Sequence, residues 1–214
     1  TDRYIRSLPV RIYILTPEEH KQLIQDEFDN KMAELDDLAR RQENLLEGTK
    51  LLQEMSPEEQ AKKSTEKELA RQEQEQRDIA EKLKELSKEL GELGKEASKN
   101  KEMDPKTLAE MAKLQQEMKE LAENEMSEAE ASLSEAQAKP QQPSQPQDKK
   151  KEIDKAAKKE KEALDKMKEM QKDAGETSQD MYENTLVLRL RKLAEYEDKL
   201  AKDLGSKMGS EIGR

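Results

Sequence analysis

The chain has 214 residues, with 50 acidic and 40 basic side chains and a net charge of −10. Charged residues make up 42% and aromatic residues 2%. There is no cysteine or tryptophan and a single histidine, His20. That inventory excludes disulfides, thiolate metal sites, Cys nucleophiles and any His cluster within one chain. It also argues against nucleic-acid binding, which needs basic faces and, for single strands, aromatic platforms. Leu, Ile, Val and Phe total 35 residues, whereas Ala, Glu, Lys, Leu and Arg total 120. Such a balance is too lean for an ordinary globular core and typical of long helices or coiled coil. The fold class expected is all-α: long antiparallel helices, preceded by a short strand segment that completes a domain outside the chain.

Residues 1–15 differ from the rest. Val10, Ile12 and Ile14 alternate with Arg11 and Tyr13, which is the period-two pattern of a strand. A lone strand is unstable in water, so this segment is expected to end a preceding β-domain. A helical region over 16–138 follows. Thr16-Pro17-Glu18-Glu19 and Ser56-Pro57-Glu58-Glu59 both read as capping boxes with Pro at the first helical position. Asp104-Pro105 marks a third start. The helices expected are about 17–55, 57–98 and 105–137. The first carries a seam of Ile24, Phe28, Leu35, Leu38, Leu45 and Leu52, interrupted by Lys31, Gln42 and Thr49.

The second helix has the most regular heptad of the chain. Leu69, Gln72, Gln76, Ile79, Leu83, Leu86, Leu90, Leu93 and Ala97 alternate in steps of three and four. The third has Leu108, Met111, Leu114, Met118 and Leu121, then thins to Ala129, Leu133 and Ala136. The short break at Ser56-Pro57 fits either a hairpin or a kink.

Residues 139–148 form a Pro- and Gln-rich linker, with three prolines between Pro140 and Pro146. Two further helices are expected over 149–205: one about 149–173, closed by Gly175, and one about 179–204, capped by Thr177 or Ser178. Acids interleave with the lysines of the first, as in Asp154/Lys158 and Glu162/Lys166, which marks a solvated face. The second is the most apolar stretch, with Leu186, Leu190, Leu193, Leu200 and Leu204 in one seam beside Val187, Leu188, Tyr182 and Tyr196. It calls for a partner, either the first helix or another chain. Residues 206–214 read as a flexible tail.

None of these segments carries recognisable chemistry. Paired catalytic carboxylates need a pocket at fixed separation, and Gly91-Glu-Leu-Gly94 lies inside a heptad run and lacks the ending of a phosphate loop. No cofactor or metal is expected. The interaction residues expected are Leu69, Ile79, Leu83, Leu86, Leu90 and Leu93 on one helix and Leu186, Leu190, Leu193 and Leu200 on another. The ten methionines read as core fillers, with an adaptable partner-binding surface as the alternative.

The junction Val10-Arg-Ile-Tyr-Ile-Leu-Thr-Pro-Glu-Glu-His20, followed by Leu35-Asp-Asp-Leu-Ala-Arg-Arg-Gln-Glu-Asn-Leu-Leu46 and Glu66-Lys-Glu-Leu-Ala-Arg-Gln72, resembles the helical region of large membrane-anchored bacterial envelope proteins of uncharacterised function. In those, Ig-like β-domains precede long charged helices. The resemblance implies a piece of a longer protein on the periplasmic side of the bacterial envelope, touching the membrane only through regions outside this chain. It carries no site residues. The function expected is non-enzymatic: a helical spacer or assembly scaffold whose partner is protein, either itself or other subunits. A holdase-like or adaptor module that grips a protein partner through Met- and Leu-rich surfaces is the second reading.

Overall fold

A computed structural model describes residues 14–60, 62–138 and 146–212, and among them there are only helices and the turns that join them. The elements are α1 (Pro17–Glu54), α2 (Pro57–Gln60), α3 (Lys63–Ala97), α4 (Pro105–Glu123), α5 (Glu125–Ala138) and α6 (Pro146–Ile212). Residues 1–13, where the strand signal falls, lie outside the described residues, and Ile14 and Leu15 belong to no regular element.

The helix starts follow their local chemistry. Glu19 N–H donates to Thr16 Oγ1 at 3.2 Å, and Thr16 N–H donates to Glu19 Oε2 at 2.8 Å. Ser56 and Glu59 repeat the exchange at 3.3 and 3.0 Å. Asp104 accepts from Lys106 N–H at 3.0 Å and opens α4. Each box satisfies donors that the first helical turn leaves without partners.

Four rods make the bundle: α1, α3, the pair α4–α5, and α6. Neighbours are α1 with α3, α3 with α4–α5, α4–α5 with α6, and α6 with α1. Facing residues count in opposite senses along each neighbouring pair. Arg41 meets Glu75 where His20 meets Glu96. Lys84 meets Glu123 where Arg77 meets Glu130. Lys106 meets Asp180 where Lys166 meets Glu125. Gln53 meets Asp154 where Gln22 meets Arg189. The chain therefore turns back at Ser56-Pro57. Gln60 closes that end by donating to Leu52 O at 2.8 Å and accepting from Lys149 Nζ at 2.8 Å through its own carbonyl.

Three sequence expectations are corrected. The helix expected over 57–98 is divided into α2 (Pro57–Gln60) and α3, which begins at Lys63. The helix expected over 105–137 is interrupted at Asn124, whose φ of −107° and ψ of −87° leave the helical region. The two helices expected over 149–205 are one: α6 runs without a break through Gly175, Thr177 and Ser178 and continues over residues 206–212. A glycine inside a helix costs about 1 kcal/mol relative to Ala, and packing on either side of Gly175 outweighs that. Thr177 binds back to Asp173 O at 2.9 Å instead of capping. Residues 139–145 of the linker lie outside the described residues, and Pro146–Asp148 already belong to α6.

The core follows the seams. Phe28, Leu35, Leu83, Leu86, Leu90, Met111, Leu114, Met118 and Met167 are each at most 2% exposed. Gly91 sits where α4 comes near, since a Cβ there would lie 2.8 Å from Gln115 Nε2, while one on Gly94 or Gly175 would meet nothing.

Candidate functional site

Two features stand apart from ordinary core packing. The first is polar and buried. Leu52, Leu69, Leu133, Ala136, Ile153 and Ala156 form an apolar cluster separate from the main core. Thr49 and Gln72 lie between the two clusters along α1 and α3, Glu160 sits just past the junction on α6, and all three are at most 2% exposed. Thr49 Oγ1 is 3.0 Å from Gln72 Oε1, 3.0 Å from Glu160 Oε1 and 3.3 Å from Leu45 O. A hydroxyl has one proton, so it cannot donate to all three. Burial pushes the Glu160 carboxyl up to about 7, against the pull of the Thr49 hydrogen bond. In its neutral form Glu160 donates to Thr49, and Thr49 donates onward. Gln72 Nε2 and Glu160 Oε2 have no hydrogen-bond partner among the described residues. One helical step away, Gln42 and Gln76 exchange amide hydrogen bonds at 3.0 and 3.2 Å, with neither side chain exposed.

At the opposite end, Lys21 is buried without a hydrogen-bond partner for Nζ among the described residues. Burial lowers its pKa below the ordinary lysine value, while the charges of Glu102 and Asp104 pull it upward. Lys192 of α6 pairs with Glu18 and, at 3.6 Å, with Glu102. Asn100 donates to Pro17 O at 2.7 Å. These contacts join the start of α1, the α3–α4 turn and α6.

The second feature is apolar and exposed. Of the expected interaction residues, Leu69, Ile79, Leu83, Leu86, Leu90 and Leu93 lie inside the bundle. Leu186, Leu190, Leu193 and Leu200 do not. They are 48–58% exposed, together with Val187, Leu204, Tyr182 and Tyr196. The bundle-facing line of α6 runs through Ile153, Ala157, Glu160, Leu164, Met167, Ala174, Met181 and Thr185. At about 100° per residue, the leucine stripe is turned roughly 140° from that line. Packing of this stripe on α1 is thus not what the fold achieves; polar pairs such as Gln22–Arg189 join α1 and α6 here.

Other expectations fall into place around these two features. Met103, Met111, Met118, Met126, Met167, Met170 and Met181 are core residues, and Met32 and Met55 are half-buried. Among the described side chains, the methionines thus offer little of a binding surface. His20 lies 3.5 Å from Glu96. In the lysine-rich part of α6, Lys159 reaches Glu128 at 2.8 Å, Lys166 Glu125 at 2.6 Å and Lys168 Glu43 at 2.9 Å on neighbouring helices, while Lys151, Lys155, Lys158 and Lys172 pair within α6. The groove between α1 and α3, about 510 Å³ and lined by Glu34, Asp37, Lys82 and Glu89 among others, opens to solvent. Among the described residues, no group of three or more His, Asp or Glu is disposed to hold a metal, and no helix is long and apolar enough to cross a membrane.

Glu160 was missed by sequence reasoning, which read the interleaved charges of its segment as a solvated face. The signal was present: Ile153, Ala157, Glu160, Leu164 and Met167 step by four, three, four and three, which puts a carboxylate in a seam. No family model, characterised protein or solved structure matches the chain.

Proposed function

We propose that this chain is a non-enzymatic spacer and assembly scaffold: an antiparallel helical bundle with coiled-coil packing that holds a protein-binding face at one end. The observation that carries this reading is the leucine stripe of α6, half exposed on the part of the helix that continues past its last buried residue, Thr185. Contiguous exposed apolar surface on a charged protein marks an interaction site. Length supports the spacer part. The 67 residues of α6 span roughly 100 Å at 1.5 Å per residue. The setting implied by the sequence resemblance, a larger bacterial envelope protein on its periplasmic side, suits a rod that separates other parts.

Small-angle scattering tests the spacer. A rod near 100 Å long has a radius of gyration of about 30 Å, whereas a compact chain of this length has about 17 Å. A value near 17 Å refutes the proposal. The holdase-like reading retains one observation, the exposed leucines, but its methionines are inside the bundle. It requires that the protein suppress aggregation of an unrelated denatured protein and that Leu190→Asp remove the effect.

A further inference from the structure

The exposed stripe has a pattern of its own. Leu186, Leu190, Leu193, Glu197, Leu200 and Leu204 are separated by four, three, four, three and four residues. That is an a/d seam of nearly three heptads, on the part of α6 where nearly every side chain is exposed. We infer that this face docks on the same face of a second copy of the chain, the two α6 helices running in opposite directions about a midpoint beside residue 195. The inference rests on the scaffold reading and names its partner.

The stripe is complementary to itself in that register. Leu186 forms a layer with Leu204 of the second copy, Leu190 with Leu200, and Leu193 with Glu197, and the twofold axis repeats each layer. The flanking rows agree. Arg189 comes opposite Asp203 of the second copy, giving two opposite-charge contacts by symmetry. On the other flank Val187 faces Ala201 and Ala194 faces its own counterpart, so small side chains let the helices approach. Flanking charges of this kind set orientation in coiled coils. The parallel arrangement lacks this agreement: it sets Glu197 against Glu197 within the seam and faces Arg189 with Ala194. Like charges brought together in a desolvated layer disfavour that state.

The fold also leaves room. From Leu193 to Leu204 every side chain of α6 is exposed, so this part of the helix has run past the described rods and has space for an incoming helix. The opposite direction sends the two bundles to opposite ends of the pair. Three heptads make a small interface, and Glu197 weakens its centre. The expected dimer is therefore reversible, with a dissociation constant in the micromolar range.

The chain has no cysteine, so a single introduced thiol reports its own distance from its counterpart. Ala194→Cys is expected to form a disulfide-linked dimer on mild oxidation of the otherwise intact protein at about 50 μM, because a disulfide needs Cα atoms within about 7 Å. Leu186→Cys is expected to remain unlinked: eighteen residues of helix, about 27 Å, separate residue 186 from the level of its counterpart. Sedimentation equilibrium is expected to show monomer and dimer exchanging, Glu197→Leu to tighten the dimer at least tenfold, and Leu190→Asp with Leu193→Asp to abolish it without loss of helicity. Equal linking of Leu186→Cys and Ala194→Cys overturns the register. A dimer that survives Leu190→Asp with Leu193→Asp overturns the face. A monomer at 200 μM that gives no Ala194→Cys link overturns the self-pairing and leaves the stripe to another chain. A rod-like radius of gyration in that same sample shows that the scaffold reading has survived.

Discussion

The leucine runs of α3 and α6 use the same spacing and meet opposite fates. From Leu69 to Ala97 the three-four alternation is phased to the bundle, and its leucines are 0–8% exposed. From Leu186 to Leu204 the same alternation is rotated out of phase with α6's own bundle-facing line, and its leucines are about half exposed. Periodicity states that a helix has an apolar face. Whether the neighbouring rods reach that stretch of the helix decides whether the chain itself covers it. On α6 the buried line ends at Thr185 and every residue from Arg189 to Leu204 is exposed, so a single unbroken helix is packed along one part and projects past the described rods along another.

The largest expected effect breaks this contrast on the α3 side. Leu83→Asp with Leu90→Asp places two charges at positions with no solvent access and is expected to remove more than about 4 kcal/mol of stability. Helical circular dichroism at 25 °C should collapse; an unchanged spectrum and melting point would mean that α3 is not where the fold is held.

The next effect lies in the buried half of α6 and depends on pH. Glu160 is neutral in the folded state up to about pH 7, while in the unfolded chain it ionises near its ordinary value. Below that ordinary value both states hold the proton and no penalty exists. Between there and about pH 7 the unfolded state binds fewer protons, so stability falls as pH rises, then levels off. Glu160→Gln keeps a donor for Thr49 and removes the titration. It is expected to stabilise the protein by on the order of 3 kcal/mol at pH 8 and by almost nothing at pH 4. Urea unfolding at the two pH values checks it; equal shifts at both would show that the carboxyl is not the cause.

Smaller still is Gly175→Ala, between the two halves of α6. The added Cβ meets nothing, and the gain expected is about 0.5–1 kcal/mol from helix propensity alone, read as a rise in melting temperature. The smallest effect belongs to the exposed stripe. Leu190→Asp with Leu193→Asp is expected to move the stability of the dilute, monomeric protein by less than about 0.5 kcal/mol per site. A loss as large as that of the α3 pair would mean that the stripe is core after all.

Much of this was legible in the residues. Thr16 and Ser56 announced their helix starts, and the α3 seam could be written down before its partners were known. The interruptions were legible as interruptions, but their meaning was not. Gln42 and Thr49 break one seam, Gln72 and Gln76 break another, and only the register between α1 and α3 shows that they answer one another. Gly175 was overread, because local propensity at one residue is small beside the packing of dozens. The exposure of Leu186–Leu204 was not legible, since spacing within a segment is silent about where the neighbouring helices end.

The polar pairings also give the molecule a length standard. If α3 slid by one heptad along α1, most leucines would still find leucines, and the rod would lengthen or shorten by about 10 Å at little hydrophobic cost. Gln42 would then face Leu83 or Leu69 in place of Gln76, and each amide stranded in the core costs about 1–3 kcal/mol. Polar residues inside a seam fix register in this way. The buried glutamines act as graduation marks on a ruler that can be read at only one setting, so every copy has the same span.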